Sequence, residues 1–182
     1  IVAPFLLGTT ICGFSVAAMA QDAVVTTQEA LENPSPKDWL QVHGNYAAHR
    51  FVQLTQINKD TISELEVAYT LAIAGAEGGG SRYANAQLEA TPLVEDGFMY
   101  FPNGWGAVYK VDVHGRKQGL INWVMDPQID KPWAGDVACC GIDNRGVALY
   151  RDKVISIALD GRMFAINKAT GACTIVGPTG VA

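Results

Sequence analysis

Residues 91–113 read TPLVEDGFMYFPNGWGAVYKVDV, and residues 147–171 read VALYRDKVISIALDGRMFAINKATG. In the first stretch, Thr91–Val94 and Phe98–Pro102 have the character of short strands. Asp96-Gly97 between them supplies the positive φ angles of a two-residue hairpin turn. Ala107–Val113 and Leu120–Met125 follow as a third and a fourth strand. The second stretch repeats this layout with Gly146–Tyr150, Val154–Ala158, Met163–Asn167 and Cys173–Val176. Its turns fall at Arg151-Asp152-Lys153, Leu159-Asp160-Gly161 and Ala169-Thr170-Gly171.

The two sets align. Asp96–Phe101 falls on Asp152–Ile157, and Val108–Asp112 falls on Met163–Asn167. The spacing, about 55 residues, is that of a four-stranded propeller blade lengthened by a long loop, here 126–145. The expected class is therefore all-β, with about two blades of a β-propeller. One blade cannot bury both faces alone, and roughly three or more repeats are needed for stability. The chain is thus expected to be part of a longer propeller and not by itself a stable closed ring.

Composition fits this. The chain has 182 residues, 49% of them hydrophobic and 17% charged, which is globular and not disordered. Nineteen Gly and eight Pro favour many short strands over a few long helices. Thirteen Lys and Arg against eighteen Asp and Glu give a net charge of -5, and no basic run occurs, so nucleic acid is not an expected partner.

Working outward, residues 1–20 carry no charge, and Ala18-Met19-Ala20 fits the small-x-small pattern of a secretory cleavage site. The expected layout is a signal peptide over 1–20 whose start is missing, an irregular segment over 21–36 and a partial propeller domain over 37–182. The alternative for 1–20 is a membrane tether. Within the domain, Asp60–Leu65 is a plausible short helix capped by Asn58 or Asp60, and Val67–Ile73 alternates as a strand. Gly75–Ser81 reads as a flexible loop. His43, His49 and His114 show no metal-ligand spacing, and no nucleotide or nucleophile motif occurs.

Cys139-Cys140 is the most informative pair. A bridge between neighbours is strained and closes no loop, so it serves better as a hard, flat contact surface than as a staple. Two reduced thiols are the alternative; a secreted context favours the bridge and leaves Cys173 as an odd thiol. Arg145 sits in Asn144-Arg145-Gly146 and can aim a fork of donors at a carboxylate or quinone oxygen, or else pair with Asp136 or Asp143. Glu89, just ahead of Ala90–Val94, can accept from a ligand or bind a metal, or else be solvated.

Together these residues resemble the opening part of the periplasmic pyrroloquinoline quinone (PQQ)-dependent methanol/ethanol dehydrogenase family. The resemblance rests on Trp39, Gly44-Asn45-Tyr46, Arg50, Leu54 and Ile57-Asn58; on Leu88-Glu89-Ala90-Thr91-Pro92-Leu93-Val94; on Ala138-Cys139-Cys140-Gly141-Ile142-Asp143-Asn144-Arg145-Gly146; and on the Gly161–Gly171 blade repeat. It covers residues 37–176. Gly141 stands where an acidic residue or Asn is common, Tyr69 where Trp is frequent, and Ile175 in place of a blade-docking Trp that Trp123 keeps in the first repeat.

The resemblance implies an eight-bladed propeller that oxidises small alcohols by hydride transfer to PQQ, with a calcium or lanthanide ion polarising the quinone and a cytochrome c taking the electrons. It implies Glu89 and Arg145 as cofactor contacts, and an oxidised Cys139–Cys140 packed on one face of the quinone. The family's catalytic Asp and metal ligands lie further along the chain, so the resemblance implies an N-terminal part that is inactive alone, and no catalytic or metal residue is assigned here. A homodimer or a small-subunit partner is compatible with this scheme. The alternatives are a propeller-repeat scaffold without cofactor and a membrane-tethered subunit of a redox complex.

Overall fold

The computed structural model describes residues 24–79, 82–115 and 119–177. The proposed signal segment lies outside the described residues. The chain forms helix α1 (Gln28–Glu32), a 3-10 turn (Ile62–Glu64), strands β1 (Glu77–Gly79) and β2 (Tyr83–Asn85), and then β3 (Leu93–Glu95), β4 (Phe98–Pro102), β5 (Val108–Asp112) and β6 (Leu120–Met125). Helix α2 (Lys131–Val137) leads to β7 (Ala148–Tyr150), β8 (Lys153–Ile157), β9 (Met163–Asn167) and β10 (Cys173–Ile175).

Strands β3-β4-β5-β6 make one four-stranded antiparallel sheet, and β7-β8-β9-β10 make another in the same order. These are the two propeller blades that the internal repeat foretells. At the β3–β4 turn Asp96 has φ 47° and Gly97 φ 70°, the backbone that an Asp-Gly hairpin supplies.

The blades pack through one apolar layer. Leu93, Phe98, Tyr100, Val108, Trp123 and Met125 of the first meet Val147, Leu149, Val154, Phe164 and Ile166 of the second. Burial holds the Tyr100 phenol above its ordinary titration range. On the far face of the first blade Phe101 and Tyr109 stack at 5.4 Å, and Leu71 and Ile73 cover them. Trp123 docks the blades onto each other: its indole Nε1 donates to Lys168 O across the interface at 2.9 Å. Lys110 Nζ donates to the same oxygen at 3.0 Å. Trp123→Phe keeps most of the buried area and removes one donor. It is expected to cost about 1 kcal/mol, read as a shift in denaturation midpoint of the complete protein.

Five stretches differ from expectation, each for a local reason. Residues 67–73 form no ladder; side-chain packing on the first blade holds them, together with Asn103 Nδ2 donating to Ala74 O at 2.9 Å. The short helix is a single 3-10 turn, and Asn58 Oδ1 bonds the amides of Asp60 and Thr61 before it starts. Helix α1 rises within the stretch read as irregular, because the Thr27 side chain accepts from Ala30 N. Of the stretch read as a flexible loop, Gly80 and Ser81 lie outside the described residues, and Gly78 and Gly79 allow close packing in the β1–β2 pair. A Cβ on Gly78 would fall 2.2 Å from Ala84 O, and one on Gly79 would fall 2.3 Å from the Trp105 ring. Inside the long loop, α2 starts where Asp130 accepts from Trp133 N at 3.1 Å with Pro132 in its first turn.

Candidate functional site

Glu89 lies just ahead of β3, and Arg145 just ahead of β7. They occupy equivalent places before the first strands of successive blades. The blade packing brings these places together: Arg145 Nη2 is 3.2 Å from Glu89 Oε2 and 3.0 Å from Asp143 Oδ2. Of Asp136 and Asp143, the partners weighed for Arg145 in the sequence, Asp143 is one that it meets; Glu89 is a partner that the sequence did not suggest.

The backbone beneath is fixed from both blades. Gln87 N donates to Ile142 O at 2.8 Å, and Ala86 and Ile142 form a parallel bridge. Ile142 is fully buried. Asn144 Nδ2 donates to Ile157 O at 2.8 Å, and its Oδ1 accepts from Gly146 N at 3.1 Å. Gly104 lies under the crossing of the two segments; a Cβ there would sit 2.6 Å from Ile142 O and 2.7 Å from Gln87 O. Both atoms are backbone, so one segment would have to move. Gly104→Ala is expected to cost about 1–3 kcal/mol and to loosen whatever ligand this site holds, as measured by unfolding and by ligand titration of the complete protein.

Cys139 and Cys140 lie in the same loop, exposed, with their sulfurs joined as a vicinal disulfide and their Cα atoms 3.8 Å apart. Gly141 follows with φ 128°, a conformation that L residues avoid. The loop is anchored just ahead of the bridge, where Ala138 O accepts from Arg82 Nη1 at 3.0 Å and from Tyr83 Oη at 3.1 Å. The β1–β2 pair thus supports the cysteine loop from one side. Cys173, read as an odd thiol, is not free.

The donor set suits a flat, anionic, oxygen-rich ligand. Arg145 offers planar N–H donors, the nearby carboxylates can accept from ring N–H or hydroxyl groups, and the disulfide presents a rigid apolar face. Among the described residues, no group of three or more His, Cys, Asp and Glu is placed to hold a metal ion, and no helix is long and apolar enough to cross a membrane.

A second polar cluster lies between the blades, and sequence reasoning missed it. The buried Lys168 ammonium donates to Glu95 Oε2, to Thr26 Oγ1 and, at 2.8 Å, to Arg151 O; the Thr26 hydroxyl donates to Glu95 Oε1. Burial lowers the Lys168 pKa, and Glu95 works against that shift. The available signal was alternation: Glu95 shares the face of Leu93, and Lys110 that of Val108.

Comparison with known proteins agrees with the fold. The glucose/ethanol/alcohol dehydrogenase β-propeller domain family, the PQQ domain, matches residues 39–181. A quinohemoprotein alcohol dehydrogenase of Comamonas testosteroni is 37% identical over 74% of this chain and 17% of its own length. The dehydrogenase subunit of a quinone alcohol dehydrogenase of Komagataeibacter europaeus is 32% identical over 91% and 22%. Among solved structures, quinohemoprotein alcohol dehydrogenase ADHIIG of Pseudomonas putida HK5 superposes with a TM-score of 0.75 at 30% identity, covering 90% of this chain and 22% of that one. A europium-containing methanol dehydrogenase gives 0.63 at 30% identity, covering 77% and 23%. The chain spans about a fifth of the length of these relatives.

Proposed function

Because the chain belongs to the PQQ-containing glucose/ethanol/alcohol dehydrogenase β-propeller family, we propose that the complete protein oxidises small alcohols and that this stretch supplies part of its PQQ site. The observation that carries the proposal is the meeting of Glu89 and Arg145 at 3.2 Å from equivalent places in two blades, in a site that shares its loop with the vicinal cysteine bridge.

Arg145 would hold a carboxylate or quinone oxygen of PQQ through its remaining N–H groups. Glu89 would accept from an N–H or hydroxyl of the ligand, and the Cys139–Cys140 bridge would form a wall against the ring face. When bound, PQQ supplies a quinone that takes hydride from an alcohol. The residues described here bind and orient; the proton-accepting base and the ligands of a calcium or lanthanide ion belong to other parts of the complete protein. Secretion to the periplasm and a cytochrome c acceptor complete the proposal. The uncharged run over 1–20 supports the first, and the quinohemoprotein and dehydrogenase-subunit names of the relatives support the second. A homodimer or a small-subunit partner fits the same scheme.

The test is titration of the cofactor-free complete protein with PQQ, followed by the change in quinone absorbance. Cys139→Ser, Glu89→Gln and Arg145→Ala are each expected to weaken binding and to lower alcohol-dependent cytochrome c reduction in parallel. Unchanged PQQ affinity in all three variants would contradict the proposal.

A further inference from the structure

The geometry points to Asp143 as the positioning residue that holds Arg145 in the orientation the cofactor needs, an inference that rests on the PQQ reading above. Arg145 is a long side chain, 75% exposed, and it loses rotamer freedom when it is held still. An exposed guanidinium alone would not stay aimed. Asp143 differs from it in the way an anchor must: only 14% of its side chain is exposed.

Its backbone is clamped on both sides, by Ile142 O accepting from Gln87 N and by Asn144 bonding Ile157 O and Gly146 N. The carboxylate is therefore set before Arg145 meets it, and Arg145 Nη2 lies 3.0 Å from Asp143 Oδ2. Glu89 reaches the same nitrogen at 3.2 Å, from a more exposed side chain and from the other blade. Glu89 is the contact that a bound quinone would compete for. Asp143 is the contact that stays.

Two carboxylates share this one guanidinium, so Asp143 is not there to add attraction for an anionic ligand. By charge alone it repels one. If it acts only as a nearby charge, removing it tightens PQQ binding; if it acts by aiming Arg145, removing it weakens binding. The sign separates the two roles.

The experiment is a double-mutant cycle on the cofactor-free complete protein, titrated with PQQ, with thermal unfolding recorded for each variant. Asp143→Val alone is expected to weaken PQQ binding about tenfold, and Asp143→Glu to recover part of that loss. In the Arg145→Ala background Asp143→Val is expected to change PQQ affinity less than twofold, or to tighten it. An equal loss in both backgrounds would show that Asp143 acts on the loop and not through Arg145, which overturns the inference. Tighter binding on Asp143→Val alone would overturn it too. If Arg145→Ala leaves PQQ affinity intact, the PQQ reading of Arg145 fails, and that outcome is separate from failure of the Asp143 inference.

Discussion

Lys168→Met is expected to destabilise the complete protein by about 3–5 kcal/mol, the cost of leaving a buried ion without its partner. Among the described residues, Glu95, 4% exposed, would keep only the Thr26 hydroxyl as a side-chain donor. Arg151 O would lose the Lys168 ammonium. The cluster joins three parts of the chain: Thr26 from the N-terminal segment, Glu95 from the first blade and Lys168 from the second. Thr26 also bridges Arg151 through both backbone bonds, so the segment ahead of α1 is tied in at the same point. Combining Lys168→Met with Glu95→Leu removes both charges and is expected to restore more than half of the loss. Chemical denaturation of the complete protein measures both variants. A single-variant loss under about 1 kcal/mol would show that the pair is solvated in solution.

Arg145→Ala is expected to weaken PQQ binding about 10- to 150-fold, the range of a charge-assisted hydrogen bond. The size follows from charge as well as from lost donors. With Arg145 removed, Glu89 and Asp143 face an anionic ligand without the guanidinium that now lies between them. Arg145→Lys keeps the charge but not the planar fork, and is expected to fall between wild type and Ala. Equilibrium titration with PQQ reads this directly. An Arg145→Ala affinity within twofold of wild type would mean that the guanidinium faces away from the ligand.

The blades were legible in the sequence because their signals are local. The strands Phe98–Pro102, Leu120–Met125 and Met163–Asn167 coincide with their expected limits, since apolar runs and Asp-Gly or Thr-Gly turns bound them. Glu89, the cysteine pair and Arg145 stood out for their residue chemistry and for the resemblance they carried. What the sequence could not display was pairing at long range. Gly78 and Gly79 look like a flexible run until Ala84 and Trp105 are placed against them. Glu95 and Lys168 lie 73 residues apart, each beside a polar turn, and each alone reads as solvated. Lys110 is likewise a charge in an apolar strand until Phe98 is seen 4.0 Å beneath its ammonium. Asp143 was visible only as one candidate partner among others for Arg145, because its burial depends on the fold of both blades.

The most direct test is a crystal structure of the complete protein with PQQ bound, read at Arg145 and at the cysteine bridge. The expected result is a PQQ oxygen about 2.7–3.2 Å from an Arg145 guanidinium nitrogen, with the Cys139–Cys140 bridge in van der Waals contact with the ring face. A PQQ ring seated elsewhere, with Arg145 still closed onto Glu89 and Asp143, would contradict the assignment of this site.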